Sequence, residues 1–336
     1  MSLLNSVKAC ALYTGTNGRR KCTSKCIGCF LGEFELNHPI YQGNIEQVHE
    51  LLSVLPNLER VAIVGNPDPS VDPEFCNEAA RILQNKGVKI MFCTSGIGGI
   101  EVARKLVDGL DPSLVFRFAF SIHSLDEEKD SIMKGVKISH QSVFESMKYI
   151  QNLGINVSAL FSLWPINEDD DWVAYKEFFE SRGIYTSGRF GNVEGARGRI
   201  KAISEEKILE IREKNKDVRL GVILANDEEY ADYLSLYASK NELRCTHCER
   251  INVYLTEDGV KVSSFCPMLA NVQSELTVNI RDLKLPTFGD DVLKKGYCPI
   301  SEQALGFKRS ENLHPVCRFY KIPLEKTIPD KSLRWF

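Results

Sequence analysis

Little in this 336-residue sequence points to a membrane span, a nucleic-acid surface or a disordered chain. No apolar run approaches the roughly 20 residues that cross a bilayer. Neither sign of charge dominates: 42 Lys and Arg stand against 45 Asp and Glu, a formal net charge of −3. That balance excludes a strongly basic nucleic-acid footprint. There is no internal repeat and no low-complexity run, and 43% hydrophobic with 26% charged residues is ordinary globular composition. Residues 1–11 lack a charged segment followed by a long apolar core and a cleavage site, so a cytoplasmic location is expected. The length fits one large α/β barrel-type domain with an appendage, or two medium domains.

What the sequence does have is cysteine. Eleven is an odd number in a chain too long to need a disulfide framework. Without a secretion signal, clustered cysteines more often mean metal than disulfides. Cys22, Cys26 and Cys29 form one group; Cys245, Cys248, Cys266, Cys298 and Cys317 form a second. Cys10, Cys76 and Cys93 are isolated on apolar segments and read as core residues.

Short apolar runs alternate with amphipathic stretches over the first 190 residues. Strands are predicted at Val7–Tyr13, Arg60–Val64, Val88–Cys93, Val115–Ile122, Asn156–Leu163 and Gly183–Arg189. Helical patterns fall at Asn44–Leu55, Pro73–Lys86, Ile100–Asp108, Ser139–Leu153 and Asp170–Ser181. This alternation predicts parallel βαβ units, and six strands fit a partial barrel better than the full eight. The expected fold is α/β: a partial (β/α)6 TIM-type barrel over residues 1–200, a helical linker over 201–243 and a small α+β cysteine-rich domain over 244–336. The linker includes predicted helices at Ser204–Asn215 and Asp227–Lys240. The last domain opens with a hairpin, Val253–Leu255 and Val260–Phe265, around Glu257-Asp258-Gly259. In such barrels the chemistry sits at the C-terminal strand ends.

Cys22-x3-Cys26-x2-Cys29 follows the first predicted strand. Soft thiolates suit iron–sulfur or zinc. A structural zinc would need a fourth ligand, and none lies within this loop. Three ligands on a four-iron cluster would leave one iron open for a substrate or cofactor. The run CTSKCIGC resembles the signature of the radical S-adenosylmethionine (SAM) superfamily, in which three cysteines hold a [4Fe-4S] cluster and SAM chelates the open iron. Where the family has an aromatic residue before the third cysteine, this chain has Gly28, with Phe30 just after as a substitute adenine contact. NPDPSVDP, Asn66 to Pro73, is similar to the family's Gly-Gly-Glu-Pro motif, with Asp68 in the place of the acid. CTSGIGG, Cys93 to Gly99, is similar to its third-strand turn. FSIHSLDEEKDSIMKG, Phe120 to Gly135, is similar to its fourth-strand end. The resemblance implies SAM contacts from Phe30, Gly65, Asn66, Asp68, Ser95 and Ser121, and His123 is a further candidate facing the substrate.

The second cysteine group resembles a SPASM or twitch domain; a zinc ribbon is the competing reading of its Cys-x2-Cys half. Ten residues separate Cys248 from Gly259 and six separate Gly259 from Cys266, a longer second spacing than the family's. The resemblance implies one auxiliary [4Fe-4S] cluster on Cys245, Cys248 and Cys266, closed by Cys298 or Cys317. The remaining thiol would be a candidate hydrogen donor to a substrate radical.

The implied enzyme uses SAM and two clusters, with a flavodoxin- or ferredoxin-type electron donor, and abstracts hydrogen from an unactivated C–H bond. Only 21 residues precede Cys22, so no leader-binding domain is expected at that end. The compact plan looks like enzymes that epimerise or dehydrogenate a small aminocyclitol- or aminoglycoside-like molecule. Peptide epimerases or crosslinking maturases, a molybdenum-cofactor-type nucleotide cyclase and a non-catalytic zinc-stabilised binding protein are the alternatives. Neither nucleic acid nor membrane is an expected partner.

Overall fold

The structure is a computed structural model that describes residues 7–15, 22–27, 43–64, 68–190, 203–218, 220–221, 250–264 and 278–282. Its frame is a run of parallel strands with intervening helices: β1 (Ala9–Tyr13), α1 (Glu46–Val54), β2 (Arg60–Val64), α2 (Pro73–Gln84), β3 (Lys89–Thr94), α3 (Gly99–Val107), β4 (Val115–Ser121), α4 (Glu127–Lys134), α5 (His140–Asn152), β5 (Val157–Leu163), α6 (Trp172–Glu180), β6 (Tyr185–Phe190), α7 (Glu205–Lys214) and the two-residue β7 (Leu220–Gly221). A hairpin of β8 (Arg250–Thr256) and β9 (Gly259–Ser264) follows, with β10 (Val278–Asn279) beside it. The strand order β10-β9-β8-β1-β2-β3-β4-β5-β6-β7 is one ten-stranded sheet, parallel from β8 through β7. This is an α/β fold with a mostly parallel sheet, as a partial TIM barrel requires. The predicted hairpin is present, and β8 pairs in parallel with β1, from Ala9 opposite Arg250 to Tyr13 opposite Tyr254. The predicted helix Asp227–Lys240 lies outside the described residues.

Local signals set the helix starts. Asp72 caps α2 through the Phe75 N–H, with Pro73 at the first helical position. Ser139 caps α5 and Asp171 caps α6 in the same way. Strand alternation then divides the residues between two faces. Ile63, Phe92, Phe118, Phe120 and Phe161 pack under the helices with Leu51, Leu83, Leu106, Met147 and Phe179. On the other face Ala62, Met91 and Ala119 meet Val64, Cys93 and Leu160.

That division corrects one expectation. Cys10 and Cys76 are buried in the helix-side core, where burial pushes both thiols up, Cys76 to about 12. Cys93 is half-buried on the opposite face, because β3 turns Ile90 and Phe92 toward the helices and Met91 and Cys93 away. Glu127–Lys134, for which no element was predicted, is a helix. Asp126 caps it by accepting from the Glu128 and Lys129 N–H groups, and Gly135 ends it at φ +62°.

Candidate functional site

The segments that follow β1, β2, β3 and β4 meet at the C-terminal ends of their strands. Cys22 and Cys26 lie on the first of them, both half-buried and neither in a disulfide. Their loop rests on the end of α4: the Lys25 N–H donates to the Lys134 carbonyl at 3.0 Å and the Ile27 N–H to the Met133 carbonyl at 3.0 Å. Carbonyls of a last helical turn have no partner within the helix, so they are open to such a strap. Ile27 packs on buried Met133 and Trp164. The approach depends on Gly135, where a Cβ would stand 2.3 Å from the Lys25 carbonyl oxygen.

Asp68, after β2, gathers the next two segments. Its Oδ1 accepts from the Ser70 N–H at 2.9 Å and from the Thr94 hydroxyl at 2.8 Å, and its Oδ2 accepts from the Ser95 N–H at 2.6 Å. Burial pushes the Cys22 thiol up, and the Asp68 N–H pulls against that push. The Ser95 hydroxyl is buried and has no hydrogen-bond partner. Buried polar atoms rarely stay unpaired, so an orphaned hydroxyl beside Asp68 fits a polar ligand at this place. Thiol donors fit a soft metal or an iron–sulfur cluster. Among the described residues no three His, Cys, Asp or Glu converge on one ion site; the third cysteine of the motif, Cys29, lies outside them.

Ser121 ends β4, half-buried and opposite Leu160 of β5. His123, just beyond, is held in place. Its backbone N–H donates to Asp130 Oδ1 at 2.8 Å, and its Nδ1 accepts from the Ser162 N–H at 3.1 Å. An accepting Nδ1 puts the proton of a neutral ring on Nε2. Asn167 fastens the same turn by donating to the His123 carbonyl at 2.6 Å and the Ser162 carbonyl at 2.9 Å. The structure thus brings Asp68 and Ser95 together, with Cys22 near Asp68 and Cys26 on the same loop as Cys22. Phe30, Gly65, Asn66, Cys245, Cys248, Cys266, Cys298 and Cys317 lie outside the described residues.

Sequence reasoning missed three residues here: Asp130, Lys134 and His140. Asp130 and Lys134 are completely buried and paired at 3.1 Å, and His140 Nε2 meets the same Asp130 Oδ2 at 3.0 Å. Burial pushes the Asp130 carboxyl up, yet the His140 hydrogen bond and the Lys134 and His123 charges hold it below the ordinary carboxylate value. The signal in the sequence was an Asp–Lys pair four residues apart between a capping Asp126 and a terminating Gly135.

The Radical SAM superfamily model matches residues 17–179. No curated protein matches the sequence. Among solved structures, the chain is similar to Streptococcus suis SuiB bound to precursor peptide SuiA, with 14% identity and a TM-score of 0.63 over 94% of this chain and 70% of that one. SuiB bound to S-adenosylmethionine gives 14% and 0.62 over 94% and 71%. Native anSMEcpe with bound AdoMet and Cp18Cys peptide gives 13% and 0.58 over 93% and 87%. At these identities the likeness is one of fold.

Proposed function

The chain belongs to the radical SAM superfamily and is a radical SAM enzyme, and on that premise we propose that its substrate is a peptide. The observation that carries the proposal is the fold likeness. It runs through 93–94% of this chain to two proteins whose structures hold a precursor peptide and an 18Cys peptide. Crosslinking or epimerisation of a ribosomally made peptide is the reaction class this reading favours.

Cys22, Cys26 and Cys29 would hold the SAM-binding cluster, and Cys245, Cys248 and Cys266 with Cys298 or Cys317 an auxiliary one. When bound, cluster and SAM supply a primary carbon radical that takes hydrogen from an unactivated C–H bond. The chain's own work is placement. Asp68 and Ser95 offer a carboxylate lone pair and a free hydroxyl to the methionine end of SAM. Met91, Cys93 and Leu160 face the barrel interior, an apolar lining that keeps water from a reactive radical.

The test is anaerobic purification and reconstitution, a count of iron, sulfide and zinc, and SAM cleavage assayed with a peptide library and with aminocyclitols. About eight iron and eight sulfide per chain are expected for two clusters, with 5′-deoxyadenosine formation stimulated by peptides. Stimulation by aminocyclitols alone overturns the peptide reading. Zinc without iron overturns the cluster assignment.

A further inference from the structure

We propose that Lys134 is a positioning residue that sets the SAM-side loop against the cysteine loop, a role that rests on the cluster reading above. The hydrogen bonds run from Lys134 in two directions. Lys134 Nζ donates to the Ser95 carbonyl at 3.1 Å, and the Ser95 N–H donates to Asp68 Oδ2. On the other side, the Lys25 N–H of the cysteine loop donates to the Lys134 carbonyl. One residue therefore grips the cysteine loop with its backbone and the loop after β3 with its side chain.

The two grips are physically separate. The carbonyl grip survives any side chain at position 134, because it uses main-chain atoms. The ammonium grip needs a donor that reaches the Ser95 carbonyl, and Asp130 holds that donor in place from the side at 3.1 Å. Asp130 is in turn held by the His140 ring and the His123 N–H. The Ser95 backbone is held at its N–H by Asp68 and at its carbonyl by Lys134, so the place from which its side chain projects is fixed on both sides. Releasing the carbonyl lets this backbone turn and takes Asp68 with it, while the cysteines keep their seat.

Removing Lys134 alone strands a buried Asp130 carboxylate, which destabilises by leaving a charge uncompensated. The test therefore uses both Lys134→Met and the double variant Asp130→Asn/Lys134→Met, with Lys134→Arg as the conservative variant. Each is reconstituted anaerobically, and iron and sulfide content, SAM dissociation constant and the SAM-induced change in the cluster's electron paramagnetic resonance spectrum are measured. The expected result is wild-type iron and sulfide, SAM binding weakened tenfold or more, an altered spectrum with SAM, and partial rescue by Lys134→Arg. Where Lys134→Met does not fold, the double variant decides the matter. Wild-type SAM affinity and spectrum in the folded variants overturn the proposal, and so does loss of the cluster itself, which would make Lys134 a support of the whole cysteine loop. If the wild-type protein takes up no cluster, it is the cluster reading that fails, and the two failures stay distinct.

Discussion

Gly135→Ala tests how closely the cysteine loop is fitted to α4. Gly135 sits at φ +62°, and a Cβ there would lie 2.3 Å from the Lys25 carbonyl oxygen, 2.7 Å from its carbonyl carbon and 2.8 Å from its Cβ. These are backbone atoms and a first side-chain carbon, so no flexible side-chain end can move aside. An alanine in the left-handed region costs about 1–2 kcal/mol. The loop must also lift, releasing the Lys25–Lys134 and Ile27–Met133 hydrogen bonds at about 1 kcal/mol each. The sum is about 3–4 kcal/mol. Gly154→Ala is the control: its φ is +77° and nothing lies within 4 Å of a Cβ, so only the conformational cost of about 1–2 kcal/mol applies. Both substitutions narrow the unfolded ensemble equally, so that contribution cancels in the comparison. Denaturant unfolding followed by circular dichroism gives the two costs, and limited trypsin digestion after Lys25 reports the lifted loop. Equal costs for the two variants, with Lys25 equally protected in both, would refute the reasoning.

Asp130 makes stability sensitive to acid. Its folded carboxyl is held below the ordinary value, so its contribution is complete above about pH 3.9 and is lost as pH falls through the folded value. Unfolding free energies between pH 7 and pH 3 should therefore fall more steeply for the wild type than for Asp130→Asn; parallel curves would exclude the effect. Gly188→Ala places a Cβ 2.1 Å from the Phe161 ring, which stacks on Trp172 at 4.3 Å. An overpacked core of this kind loses about 1–3 kcal/mol, and a thermal melt unchanged from wild type would show that the ring has room to retreat.

The parts of the fold that were legible in the sequence are those coded locally. β2 occupies Arg60–Val64 as expected, and Asp72-Pro73 marks the start of α2. A cap, a proline and a short apolar run act on their own neighbours, so they can be read in isolation. The parallel pairing of β8 with β1 joins residues some 240 positions apart, and no periodicity within either strand specifies that partner. α4 was illegible for a different reason: Glu-Glu-Lys-Asp at its start looks like a solvated turn, and only the packed structure shows that Asp130 and Lys134 face inward. At the site, the Cys22–Cys26 spacing was readable because both residues lie on one short segment of the sequence. The hydrogen-bonding of Asp68 was not, since its donors come from Ser70, Thr94 and Ser95 and need β2 and β3 side by side.

The same contrast bears on why a charged pair lies at the centre of this arrangement. Two ions buried without any exposure lose their hydration, and their mutual attraction seldom repays that loss better than a pair of well-packed apolar side chains would. Asp130 and Lys134 are therefore a poor explanation of stability on their own. An apolar pair in their place would fill the volume, but it could not donate to the Ser95 carbonyl or accept from the His123 N–H. Those two contacts reach the loops after β3 and β4, while the Lys134 carbonyl reaches the loop after β1. What the pair supplies is a fixed relation among three loops that carry the site. That relation, rather than the strength of the pair, is the property that separates Lys134→Arg from Lys134→Met.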